Sequence, residues 1–272
     1  MLTLAHIKDK SYINTLNNII KEIIKTNGFC TLESCISQVH SSCPELSNFC
    51  ITNADKFKVT KATDKGLVGK IVEFKLFGNL PNSDSCPDML YGDIKTTNFK
   101  SINIKDKDKD KKTFNAKERL TLTNFGDPSK QSNIDTIADK NLLQETKFYD
   151  KINNGIIIIF QHESSSDKSN TVESYYNKKI LGIVFYNLDE VFTNHPEIAT
   201  VFQDDFNKIK TCILAHNVSQ SGQTYLHICK HGSKDSNTRA FAFTNKFLTK
   251  LVSIYLELPL QVKGCSDYIE FV

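Results

Sequence analysis

Hydrophobic residues recur at helical spacing in several parts of the chain. Over residues 12–26 the apolar side chains fall on one side of a helix, and Asn27-Gly28 is a typical helix end. Residues 30–50 predict a second helix followed by a loop around Pro44. Further helices are predicted over residues 64–77, 203–216 and 245–256, the first of them closed by Gly78.

Other apolar stretches predict strands near residues 92–97, 117–123, 153–160, 180–186, 224–229 and 239–243. Residues 155–160 contain four consecutive isoleucines and no polar side chain, so this strand should be central and covered on both faces. The stretch 79–87 is rich in turn-forming residues and predicts a loop. Alternating Lys and Asp over 105–112 predict a solvated hairpin tip, with DNA contact as the alternative. Together these elements predict an α/β fold with a mixed central sheet flanked by helices.

Composition limits the function classes without selecting one. The 272 residues carry a net charge of +3, which permits a nucleic-acid partner without requiring one. No apolar stretch approaches the length of a membrane span, and residues 1–8 lack the apolar centre of a signal peptide, so we expect a cytoplasmic protein with no membrane partner. The 8 cysteines fit no zinc module, and buried free thiols are the simpler interpretation.

Residues 87–95, Pro-Asp-Met-Leu-Tyr-Gly-Asp-Ile-Lys, carry the most informative chemistry. Asp93 and Lys95 are two positions apart, so in a strand they project from the same face while Ile94 points into the core. Asp88 lies just upstream. Carboxylates that hold a hard cation and a lysine beside a scissile phosphate are what a magnesium-dependent nuclease needs. Short Asp and Lys combinations also arise by chance, so the motif alone does not decide the function.

The predicted helix before this motif carries Lys65, Gly69 and Glu73 on one stripe. Glycine costs a helix about 1 kcal/mol relative to alanine, which predicts that the stripe lies close to another backbone. Glu73 on a packed stripe needs a partner, and a shared metal ion or Lys65 would serve. An exposed Glu/Lys pair on a surface helix is the alternative.

Basic residues form three further candidate groups. Lys151 immediately precedes the predicted central strand. Lys117 and Arg119 begin another predicted strand, where a shared face would let them bind consecutive phosphates. The third group surrounds Gly232-Ser233 and suits a flexible loop in the DNA major groove; its members are Lys230, His231, Lys234, Arg239, Lys246 and Lys250. A solvated surface explains each group equally well.

Taken in order, these segments resemble the MutH family of the PD-(D/E)xK nuclease superfamily, which includes the Sau-type restriction endonucleases that cut at GATC. The resemblance covers about residues 60–256. Its segments are 65–73 (Lys-Gly-Leu-Val-Gly-Lys-Ile-Val-Glu), 86–89 with 93–96, 116–120 (Ala-Lys-Glu-Arg-Leu), 205–206 (Asp-Phe), 225–232 and 238–241 (Thr-Arg-Ala-Phe).

The resemblance implies a restriction-endonuclease-like fold with two lobes around a DNA-binding cleft. Asp88, Asp93 and the carbonyl of Ile94 would coordinate Mg²⁺, with Glu73 as an additional carboxylate. Lys95 would position or activate the attacking water, with Lys65 and Lys151 around the site. The implied DNA-binding residues are Lys117, Arg119, Lys230, His231, Gly232, Ser233, Lys234, Arg239 and Lys246.

Three departures from the family are visible. The family usually has Glu where this chain has Asp93, so the metal must lie nearer the strand. The gap between Asp88 and Asp93 is shorter than in MutH by two residues, as in related monomeric restriction enzymes. His231 stands where the family loop has a base-reading lysine, which leaves the target sequence open.

The sequence therefore predicts a type II restriction endonuclease that hydrolyses double-stranded DNA with Mg²⁺, at GATC or a related short site, leaving 5′-phosphates. The alternatives are a MutH-like mismatch-repair nicking endonuclease and a catalytically inactive DNA-binding module. We expect residues 1–60 to form a helical segment, 61–160 a catalytic lobe and 161–272 a DNA-reading lobe. A cognate methyltransferase is an expected partner, and the protein would act as a monomer or a homodimer.

Overall fold

The chain is an α/β protein with a mixed central β-sheet flanked by helices, which confirms the predicted fold class. The computed structural model describes residues 2–57, 66–80, 88–89, 91–102, 112–162, 171–216, 222–233, 235–264 and 266–271. Within these ranges, no helix combines the length and the apolar composition needed to cross a membrane.

The helices and strands have the following bounds. The α-helices are α1 Leu4–Ile7, α2 Tyr12–Asn27, α3 Leu32–Ser42, α4 Pro44–Thr52, α5 Leu67–Phe77, α6 Gln131–Ala138, α7 Lys147–Ile152, α8 Val172–Tyr176, α9 Leu188–Asn194, α10 Pro196–Leu214 and α11 Asn245–Tyr255, with a 3₁₀ turn at Leu143–Glu145. The strands are β1 Cys30–Thr31, β2 Asp93–Ile102, β3 Thr113–Ala116, β4 Leu120–Gly126, β5 Asn154–Gln161, β6 Lys179–Asn187, β7 Leu226–Lys230, β8 Arg239–Phe243, β9 Leu260–Lys263 and β10 Ser266–Glu270.

The chain divides into two compact units. The first comprises Met1–Ser101 and Ile156–Phe185, and the second comprises Ile102–Gly155 and Tyr186–Val272. In the first unit the strands lie in the order β1-β6-β5-β2. Its core joins apolar side chains of α2, α3 and α5 to the sheet, with Leu16, Phe74 and Ile158 all at 0% exposure.

The central strand has the burial that its sequence predicts. All five residues from Ile156 to Phe160 are at most 1% exposed, so side chains on both faces are covered. Helix α5 ends as predicted at Gly78, whose φ of 64° is a left-handed conformation that suits glycine. The six described cysteines are free thiols and five of them are buried, in agreement with the interpretation of the composition.

The second unit contains two antiparallel groups of strands, β3-β10-β9 and β4-β8-β7. Strand β8 is central in the three-stranded sheet, and its phenylalanines lie against aromatic side chains of the flanking helices. Phe241 contacts Phe148 of α7, and Phe243 contacts Phe202 of α10. These ring contacts fix one face of the sheet and leave its opposite face to smaller and polar side chains.

Several predicted boundaries are wrong for identifiable reasons. Pro44 begins helix α4 instead of a loop, because proline fits the first helical turn, where its missing N–H is not needed. The strand predicted from residue 117 begins at Leu120, the first residue paired with β8. The predicted helix start at residues 64–65, most of the loop at 79–87 and most of the hairpin tip at 105–112 lie outside the described residues.

Candidate active site

A tight turn brings the two aspartates of the nuclease motif together. Met89 and Gly92 exchange two backbone hydrogen bonds, each with an N···O distance of 3.1 Å. Gly92 has a φ of 136°, which side-chain-bearing residues rarely adopt. Because Asp88 and Asp93 immediately flank this antiparallel pair, they become neighbours. The backbone of the turn therefore closes the short gap between the two aspartates.

Asp88 is held from two directions. Its Oδ2 accepts a hydrogen bond of 2.9 Å from the backbone N–H of Ile94. Its carbonyl accepts one from the side-chain amide of Asn79, whose own oxygen accepts one from Lys8. The N–H of Asn79 donates to the carbonyl of Glu73 at 3.0 Å, so the end of α5 and the start of β2 are joined around Asp88.

Asp93 and Lys95 lie on one side of β2 and form an ion pair. Lys95 Nζ is 3.0 Å from Asp93 Oδ2, and the two side chains are 26% and 10% exposed. Ile94 between them is 4% exposed and belongs to the core of the first unit, as its alternation in the strand predicts. The lysine therefore keeps some access to solvent while the aspartate is almost covered.

Glu73 of α5 shares the electrostatic field of this site. Burial, followed by the negative charge of Asp88 and to a lesser extent that of Asp93, raises the pKa of Glu73 to about 7, against opposing effects of Lys95 and Lys70. Three carboxylates thus share one region of the first unit, and the nearby lysines do not neutralise them fully. Near neutral pH, part of the Glu73 population is protonated.

Gly69 does not have the predicted close backbone neighbour among the described residues. A Cβ placed on Gly69 would have Glu73 Oε1 as its nearest described contact, at 3.8 Å, which is an ordinary van der Waals distance. The glycine therefore leaves space beside the Glu73 carboxylate.

The oxygen donors in this region fit Mg²⁺. No three His, Cys, Asp or Glu side chains of the described residues are already arranged to hold a metal ion. Magnesium needs fewer, because it is commonly held by one or two carboxylates together with water and substrate oxygens. Asp88 and Asp93 supply two carboxylates at the start of β2, and burial followed by the charge of Asp88 raises the pKa of Glu73, a third carboxylate in the same field.

The two other lysines of the predicted site, Lys65 and Lys151, remain predictions. Lys65 lies outside the described residues. Lys151 belongs to the second unit, near the end of α7, and is half-buried. Tyr149 and Asn153 on either side of it donate hydrogen bonds of 2.6 Å to Asp189. Those bonds fix the backbone that carries Lys151.

The predicted pair Lys117 and Arg119 does not lie on a strand. Both residues are exposed in the connection between β3 and β4, and pairing with β8 starts only at Leu120. The three consecutive charged residues from 117 to 119 favour water over a sheet. The expectation that their side chains share a strand face is therefore wrong, although both remain accessible.

The predicted base-reading loop is the connection between β7 and β8. Lys230 is paired with Arg239, and the His231 N–H donates to the Thr238 carbonyl at 2.9 Å. Residues 230–233 are all exposed, and Gly232 has a φ of 88°. Lys234 lies outside the described residues, and Lys246 is a partly exposed residue in the first turn of α11.

The guanidinium of Arg239 helps to shape this loop from within. It donates hydrogen bonds to the carbonyls of Asn237 at 2.8 Å and Thr238 at 3.3 Å.

The sequence singles out Asp205 as part of the Asp-Phe pair but does not predict that it anchors β7. Asp205 of α10 is 0% exposed, and its carboxylate accepts backbone hydrogen bonds from Thr224, Tyr225 and Leu226 at 2.6–3.0 Å. Lys208 Nζ is 3.9 Å from the same carboxylate. The sequence shows the Asp-Phe pair in an amphipathic helix, but no sequence pattern identifies the backbone N–H groups that the aspartate binds.

The sequence gives no signal for the role of Asn79 either, because it follows the glycine that ends α5 and resembles any loop asparagine.

Neither a comparison with protein-family models nor a search of curated proteins finds a match for this chain. The candidate function therefore depends on the site itself.

Proposed function

We propose that this protein is a Mg²⁺-dependent endonuclease that hydrolyses double-stranded DNA at a specific short site, as a type II restriction enzyme does. Its fold would be restriction-endonuclease-like, and its relatives would be the MutH and Sau-type enzymes that its motifs resemble. The observation that carries the proposal is the turn at residues 89–92, which makes Asp88 and Asp93 neighbours beside Lys95.

The charged groups at this turn support a role in cation binding or catalysis in addition to any role in folding. A carboxylate removed from water is stable only when it is paired or hydrogen-bonded. Asp88 has a backbone partner and Asp93 has Lys95, but the pKa of Glu73 is raised to about 7 by burial and by both aspartates. A carboxylate whose pKa is raised by burial and by neighbouring carboxylates is typical of sites where a cation or a reaction uses the charge.

Asp88, Asp93 and the carbonyl of Ile94 would hold Mg²⁺, with Glu73 as a further carboxylate. When bound, the ion would polarise the scissile phosphate and lower the pKa of a coordinated water. Lys95, which is 26% exposed on its side chain, would donate hydrogen bonds to the attacking water and to the phosphate oxygens that gain negative charge.

The proton of the attacking water would pass to solvent, while Lys95 holds the water and the phosphate oxygens in place. The water oxygen forms a bond to phosphorus, and the bond from phosphorus to the 3′ oxygen breaks. The electron pair of that bond leaves with the 3′ oxygen, which takes a proton from solvent. The products are a 5′-phosphate and a 3′-hydroxyl.

DNA binding would fall mainly to the second unit. The exposed connection between β7 and β8, with Lys230 and His231, has the accessibility that groove reading requires. Ala242 of β8 stands where MutH has a tyrosine, and it is 0% exposed with Thr121 and His227 paired on its two sides. This difference favours the restriction branch over hemimethyl reading by a repair enzyme.

The test is digestion of plasmid DNA that contains GATC sites, unmethylated and adenine-methylated, with Mg²⁺ and with EDTA, followed by sequencing of the ends. The proposal predicts discrete double-strand cuts that require Mg²⁺ and leave 5′-phosphates, and no cuts by Asp88→Asn. Nicks without double-strand cuts would favour the repair-type enzyme. Tight DNA binding without any cleavage would reduce the protein to a binding module.

A further inference from the structure

A polar cleft lies on the three-stranded sheet of the second unit. Thr121 of β4 and His227 of β7 are both paired with Ala242 on the central strand. Directly opposed residues of an antiparallel sheet project from the same face, so these three side chains form one row. Ala242 is buried in the middle of the row, and the two polar side chains on either side of it line the cleft. The cleft has a volume of 640 Å³, and Arg119 and Asn245 also line it.

The wall formed by the start of α11 is fixed by hydrogen bonds. The Thr244 hydroxyl donates to the Thr224 carbonyl at 2.7 Å and accepts from the Phe247 N–H at 3.2 Å. The Asn245 side-chain oxygen accepts from the Lys246 N–H at 2.9 Å, which leaves the Asn245 amide group oriented by its own helix. Asp205 holds the adjoining start of β7, because it accepts backbone hydrogen bonds from Thr224, Tyr225 and Leu226.

The charge of the cleft favours a neutral hydrogen-bonding ligand. Burial, followed by the positive charge of Arg119, lowers the pKa of His227, against a smaller opposing effect of Asp205. A neutral imidazole presents one donor and one acceptor. Glu118 also lines the cleft and would repel a phosphate close to it. Among the described lining residues, Arg119 is the only one with a permanent positive charge.

These side-chain types match the edges of DNA bases. Arginine binds guanine O6 and N7 through two donors, and asparagine or glutamine binds the corresponding edge of adenine. Arg119 and Asn245, which both line the cleft, offer these two patterns within it.

We infer that this cleft reads the major-groove edge of a purine in the target DNA, with Arg119 and His227 in contact with the base. The inference rests on the proposed function and deepens it, since it names residues that determine specificity outside the β7–β8 loop. It also assigns Arg119 a role different from the phosphate contact that the sequence suggests, and leaves that role to Lys117.

The test is selection of bound duplexes from a randomised DNA pool in EDTA, followed by sequencing, for the wild-type protein and three variants. Arg119→Lys keeps the charge but removes the planar two-donor fork, so it separates base reading from phosphate binding. His227→Ala removes the imidazole. Lys117→Ala is the matched control in the same exposed connection. Thermal melting of each variant verifies that it is folded.

The wild-type protein should enrich a short motif. Arg119→Lys and His227→Ala should each lower discrimination at one base position by about ten- to a hundredfold and leave the other positions unchanged. Lys117→Ala should weaken binding to all sequences alike and reduce the slope of log K against log salt by about 1.

The inference is overturned if Arg119→Lys and His227→Ala keep every position of the motif, or if the wild-type protein enriches none. Because the selection needs no cleavage, a protein that reads sequence but never cuts would refute only the nuclease chemistry. The two failures are therefore distinguishable.

Discussion

The replacement Glu73→Gln tests whether the three carboxylates of the first unit share one electrostatic site. Glutamine keeps the size of the side chain and removes its ionisation. The pKa of Glu73 rises from 4.5 to about 7 on folding, so ionisation of this group opposes the folded state. A shift of that size corresponds to about 3 kcal/mol at roughly 1.4 kcal/mol per pKa unit, and partial exposure reduces the expected effect to about 2 kcal/mol.

The sign of the pH dependence follows from the direction of the shift. Because the folded pKa lies above the unfolded value, the contribution to stability is fully present below pH 4.5 and is lost as pH rises through about 7. In EDTA, Glu73→Gln should match the wild-type protein near pH 4.5 and exceed its free energy of unfolding by about 2 kcal/mol at pH 8. Added Mg²⁺ should stabilise the wild-type protein at pH 8 more than the variant.

The assay is urea unfolding followed by far-UV circular dichroism, since the chain has no tryptophan. Glu22→Gln on the exposed face of α2 is the matched control and should change the pH dependence little. If Glu73→Gln were as stable as the wild-type protein, or less stable, at pH 8 in EDTA, burial and the charges of Asp88 and Asp93 would not oppose ionisation of Glu73 as described.

Three further changes test other parts of the structure, each by urea unfolding. Asp205→Asn should cost about 3 kcal/mol, because a buried acceptor of several backbone N–H groups loses its charge; a loss below about 1 kcal/mol would contradict that role. Thr249→Val should cost about 2 kcal/mol, since the buried N–H of Ala116 loses its hydroxyl partner, whereas Thr249→Ser should be nearly neutral. Gly69→Ala should stabilise α5 by about 1 kcal/mol, and destabilisation would show that this face is packed.

The parts of the fold that the sequence could predict are those where one local pattern decides the outcome. The apolar run before Phe160 requires cover on both faces, and residues 156–160 are all buried. The short strands β3 and β9 have only 4 residues each, too few to show a period, and they exist through pairing with β10. Strand β4 began later than predicted because the charged residues before Leu120 stay in water.

The candidate site likewise has features that a local sequence pattern predicts and features that it does not. A spacing of two residues predicts that Asp93 and Lys95 share a strand face, and the two form an ion pair. The turn at residues 89–92, by contrast, depends on a glycine with positive φ and on the Asn79 amide bound to the Asp88 carbonyl. Every residue has a backbone carbonyl, so the residue type does not reveal which carbonyl a distant side chain will bind. Such contacts become visible only in the structure.

The most direct test of the proposed function is cleavage of supercoiled plasmid by Lys95→Ala under single-turnover conditions with Mg²⁺, with DNA binding measured separately in EDTA. Lys100→Ala is the matched control, an exposed lysine on the same strand β2. We predict that the wild-type protein and Lys100→Ala cut the DNA, while Lys95→Ala cuts at least about 100-fold more slowly and binds DNA equally well. Cleavage by Lys95→Ala at the wild-type rate would contradict the assignment of this turn as the catalytic site.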